Sequence, residues 1–100
     1  MNSIPRRSTR VPTYVVVEVQ SDGLAYAGET IVVNLHGALV QISAPLKIGE
    51  RVTVHVQPTR QSRAAVIVFA DYQLSQFGLE LEHPENIWGV GIPPKDWLPN

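Results

Sequence analysis

Apolar residues recur at every second position in three separate places, and that period constrains the fold more than any other feature. Val52, Val54 and Val56 alternate with Thr53, His55 and Gln57. Val15, Val17 and Val19 share one face of residues 14–20, and Phe77, Leu79 and Leu81 alternate with Gly78, Glu80 and Glu82. A period of two is that of a strand with one face buried. The β-branched content of these runs adds a second reason to favour strand over helix.

Three further runs complete the pattern. Residues 25–33 contain a strand ending in Ile31-Val32-Val33, residues 38–43 read as the next, and residues 63–72 as a long, almost wholly apolar one. Ser21-Asp22-Gly23 signals a turn, residues 44–50 a connecting loop, and residues 57–60 a turn containing proline. No stretch has the period of an amphipathic helix. Six short strands at close spacing predict an all-β protein, a small six-stranded antiparallel barrel whose closure removes exposed sheet edges.

The organisation expected is a flexible arm over residues 1–12, a barrel over 13–82 and a tail over 83–100. Pro12 biases Val11 away from helix, so the arm enters the barrel extended. The tail allows a helical turn in residues 83–89 and another in residues 93–97. Neither turn is long enough to stand alone, so Trp88 and Trp97 are expected to pack on the barrel and hold the tail down.

Charge is distributed unevenly. The arm carries Arg6, Arg7 and Arg10, three of eight basic residues, with no acidic one; beyond Arg10 five basic residues face nine acidic ones, a balance of −4. An acidic body repels a long polyanion, which excludes a general nucleic-acid binder. A small ligand with two phosphates suits this distribution better. With seven aromatic residues in all, a barrel that stacks single-stranded nucleic acid ranks last.

No apolar run is long enough to span a membrane, no leader follows Arg6-Arg7, and cysteine is absent, so a cytoplasmic domain without membrane insertion is expected. His36, His55 and His83 lack metal-ligand spacing, so neither a metal nor another cofactor is expected. Ser43 and Ser62 have no base in a recognisable motif, so no enzyme is expected. Asp22, Glu50 and Asp71 read as solvated turn residues.

The candidate site joins the arm to one turn. Arg6 and Arg10 lie on the same side of an extended arm, roughly 13 Å apart, a distance a dinucleotide can span. Arginine can fork onto guanine or clamp a phosphate. Asn34-Leu35-His36-Gly37 has two readings. Asn at the first position and Gly at the fourth suit a type I β-turn that needs no ligand. The same residues also offer an amide and an imidazole to a base or a phosphate.

Arg6-x-x-x-Arg10 before the first strand, and Asn34 to Gly37 followed by Ala38-Leu39-Val40, resemble the two motifs of the PilZ domain. The loop Pro45-Leu46-Lys47-Ile48-Gly49-Glu50 and the strand Phe77-Gly78-Leu79-Glu80-Leu81 also look like that family. The second motif departs from the family's Asp/Asn-x-Ser-x-x-Gly: it is two positions shorter, with His36 where the serine would stand.

The resemblance implies binding of cyclic di-GMP by Arg6, Arg7, Arg10, Asn34, His36 and Gly37. It also implies a downstream protein partner, as yet unknown, that reads a change of surface. The alternative it allows is an adaptor that has lost the ligand and binds only proteins. An ordered arm without ligand, or an exposed apolar patch on the barrel, would favour the adaptor.

Overall fold

The computed structural model describes residues 8–98. Seven strands run in order: β1 (Val11–Pro12), β2 (Val16–Ser21), β3 (Leu24–Asn34), β4 (Gly37–Ile42), β5 (Arg51–Val56), β6 (Gln61–Asp71) and β7 (Gln76–Leu81). All pairings are antiparallel. The order β3-β2-β5-β6-β7-β4 closes because β4 pairs with both β7 and β3. The expected six-stranded barrel is therefore present, with β1 laid outside the ring against β3.

The alternating residues fill the barrel. Val17, Val19, Val40, Val54, Val56, Ile67, Phe77 and Leu79 form its core with no more than 2% exposure, while Glu18, His55 and Glu80 point outward between them. β1 and β2 act as one strand broken at residues 13–15. The buried hydroxyl of Thr30 mends the break: it accepts from the Val15 amide at 2.9 Å and donates to the Thr13 carbonyl. Two backbone groups freed by the bend are thus satisfied inside the structure.

β6 departs from its sequence reading. Residues 63–72 look almost wholly apolar, yet Val68 and Phe69 are exposed. The register slips between Ile67 and Phe69, and a bulge of this kind inserts one residue and re-aims those that follow. Phe69 then packs over the outer face of Gly78, where an added Cβ would meet the Phe69 Cβ at 3.0 Å.

The tail, as expected, holds at most short helical turns, and forms one of the two it allows. Residues 83–89 form no helix; the second expected turn is a short 3₁₀ helix, Lys95–Trp97. The reason is that tail backbone groups bond elsewhere. The Glu85 amide donates to Leu35 at 2.9 Å, and the Ile87 carbonyl accepts from Thr59 Oγ1 at 2.8 Å. Ile87, Trp88 and Trp97 are buried against the barrel. No helix among the described residues is long and apolar enough to cross a membrane.

Candidate functional site

Arm, turn and tail meet at one end of the barrel. The register sets this up: Val11 lies opposite Val33, and the Leu35 amide donates to Ser8 Oγ at 3.0 Å. Thr9 and Arg10 therefore run alongside the Asn34 end of β3. Arg10 is exposed. Arg6 and Arg7 lie outside the described residues.

The turn at residues 34–37 is a structural hub. Asn34 Oδ1 accepts from the His36 amide at 2.8 Å and the Gly37 amide at 2.9 Å, a local bond that Asn favours in turns. Leu35 and His36 both keep negative φ, as a type I turn requires. The three carbonyls are also occupied: Asn34 O by the Trp88 indole at 2.9 Å, Leu35 O by Glu85, and His36 O by the Leu81 amide at 2.7 Å.

Gly37 is buried at the start of β4. Its need for glycine is steric, because an added Cβ would lie 1.9 Å from the Leu79 carbonyl oxygen. The amides of residues 35–37 are spent within the protein. The side chains of Asn34 and His36 are themselves half-buried.

Ser8, Thr9, Glu85 and Asp96 escaped the sequence reading. Ser8 is fully buried. Thr9 is held by Asp96, whose Oδ2 accepts from the Thr9 amide at 2.8 Å and from its hydroxyl at 2.9 Å. The Trp97 indole donates to the Thr9 carbonyl at 2.8 Å. The usable signal was the indoles themselves, since a buried Trp N–H requires an acceptor.

Glu85 adds an ionic anchor. Its carboxylate takes both Nε and Nη2 of Arg63 on β6, at 2.8 and 2.7 Å. Those hydrogen bonds hold the Glu85 pKa below the usual carboxylate value and raise that of Arg63. A depressed carboxylate stabilises the fold above its unfolded pKa and loses that contribution as pH falls through its folded value. Glu85→Gln is therefore expected to melt slightly earlier than the parent at neutral pH. The gap should close in acid, and one that kept its full size at about pH 2 would refute the assignment.

Among the described residues the arm's basic group is Arg10, which stands exposed beside the 34–37 turn of a closed antiparallel barrel. The family model for the PilZ domain matches residues 5–87, and the chain belongs to the PilZ family. Its members are generally cyclic di-GMP-binding domains, effectors rather than catalysts. No curated protein matches the chain.

Proposed function

We propose that this domain is a cytoplasmic receptor for cyclic di-GMP in which the arginine arm supplies most of the grip. The observation that carries this reading is the position of Arg10. It is exposed, forms no hydrogen bond or ion pair among the described residues, and is fixed beside the 34–37 turn by the β1–β3 register. Arg6, four residues earlier, completes the family's spacing. Asn34 and His36 contribute side chains, Gly37 keeps the turn close to β7, and Arg7 adds a phosphate contact. Ligand-induced change at the arm is what a partner protein would read.

Three observations favour the adaptor reading: residues 8–10 of the arm are held in place without ligand, apolar side chains are exposed on the barrel, and the turn keeps its amides to itself. The turn's amides are all bonded within the protein, so the shortened motif offers a phosphate no backbone donor. Exposed Ile48, Val68, Phe69, Tyr72 and Leu74 would then serve protein contacts, and the fixed residues 8–10 would simply be structure.

Calorimetric titration of cyclic di-GMP decides between them. A hydrogen bond to a charged group contributes about 1.5–3 kcal/mol. Arg6→Ala/Arg10→Ala is therefore expected to weaken binding about a hundredfold while leaving the melting temperature unchanged. Absence of saturable heat from folded parent protein would sink the receptor reading and leave the adaptor.

A further inference from the structure

Thr9, beside Arg10, is gripped by a segment from the far end of the chain. Thr9, the residue before Arg10, makes three hydrogen bonds, all to Asp96 and Trp97. Trp97 is buried and the Lys95–Trp97 turn is seated on the barrel, while Ser8 beside Thr9 is pinned to Leu35. Asp96 is not a lone acid facing the ligand surface; its carboxylate is engaged with the arm. Neither family motif contains these tail residues, and the family match ends at residue 87.

We propose that Lys95–Trp97 is a latch that pre-positions Arg10, with Asp96 and Trp97 as positioning residues. The latch rests on the receptor reading only for its consequence, not for its geometry. Holding Thr9 removes the freedom of residues 8–10 before the ligand arrives, so that part of the ordering cost is not met on binding. The coupling is reciprocal: whatever tightens the arm tightens the tail by the same factor, and whatever lifts the tail weakens the ligand. The tail is thus the surface through which occupancy of the arm is read or overridden.

Trypsin tests the latch apart from the ligand, because it cuts after Arg10 only when residues 9–11 leave the barrel. In the full chain without ligand, Asp96→Ala is expected to raise cleavage after Arg10 roughly tenfold, since two bonds to a carboxylate are lost, both weakened by exposure to solvent, and cleavage tracks the open population. Cleavage after Arg51 and Arg63 inside the barrel should stay at the parental rate. Thr9→Val deletes only the hydroxyl bond, and it gives a smaller rise in the same direction should Asp96→Ala fail to fold.

Cyclic di-GMP titrated into the same proteins should bind Asp96→Ala more weakly than the parent, by the ratio of the closed fractions that the cleavage rates give. Unchanged cleavage after Arg10 would overturn the latch whether or not the ligand binds. Cleavage fast enough to show a mostly open arm, with ligand affinity equal to the parent's, would overturn the coupling. Faster cleavage of Asp96→Ala beside a parent that binds no ligand would support the latch and defeat the receptor reading instead.

Discussion

Gly37→Ala should unfold this domain at far lower temperature than any exposed glycine substitution. The added methyl would sit 1.9 Å from the Leu79 carbonyl oxygen and 3.1 Å from the Glu80 Cα. Both are backbone atoms of β7, so no side-chain rotation relieves the clash. One strand must move, and the β4–β7 pairing of Gly37 with Glu80 and Ala38 with Leu79 goes with it. The Leu81 amide, which bonds His36 at 2.7 Å, is displaced by the same movement.

Overpacking in a rigid site costs about 1–3 kcal/mol, and broken ladder bonds add about 1 kcal/mol each. A loss of roughly 3–5 kcal/mol corresponds to a fall in Tm of about 15 °C or more for a domain of this size. Gly91→Ala is the matched control, because nothing lies within 4 Å of the place its Cβ would occupy, and its Tm should stay close to the parent's. A Gly37→Ala midpoint equal to that of Gly91→Ala would show that β4 and β7 do not approach so closely.

That glycine also shows how sequence and structure divide the information. The Asn-x-x-Gly spacing was enough to place a turn at 34–37, because turn preferences are local. The reason for Gly37 is its contact with β7, a strand far along the chain, which no local pattern encodes. The barrel was legible for a similar reason: period-two runs such as Val52, Val54 and Val56 report burial directly. The bulge at Val68 was not, since an all-apolar run hides a reversal of face.

The proposed site was half legible. Motif spacing pointed to Arg10 and the turn, while the bonds that hold Thr9 and the turn come from Asp96, 87 residues from Thr9, and from two indoles. The sequence placed Trp88 and Trp97 as clamps but could not say which carbonyls they hold. Likewise the tail's failure to form a helix at residues 83–89 follows from Leu35 and Thr59 competing for its backbone, which is tertiary information.

Trp88→Ala should produce the second large effect and reveal whether tail and barrel unfold together. Trp88 is 1% exposed and is the largest fully buried side chain among the described residues. Its indole joins the tail to the turn through Asn34 O at 2.9 Å. Truncating a buried Trp costs about 3–5 kcal/mol, so Tm is expected to fall by roughly 15–30 °C. Trp88→Phe keeps much of the volume and loses the hydrogen bond; leaving the Asn34 carbonyl without its donor should cost about 1–3 kcal/mol. The order parent, Phe variant, Ala variant would then separate packing from hydrogen bonding. Because Trp88, Glu85 and Trp97 bind the tail to the turn, to β6 and to the arm in turn, each variant should still melt in a single transition. An Ala variant that melts at the parental midpoint would mean that the tail adds nothing to the cooperative unit, and the clamp on the arm would lose its foundation.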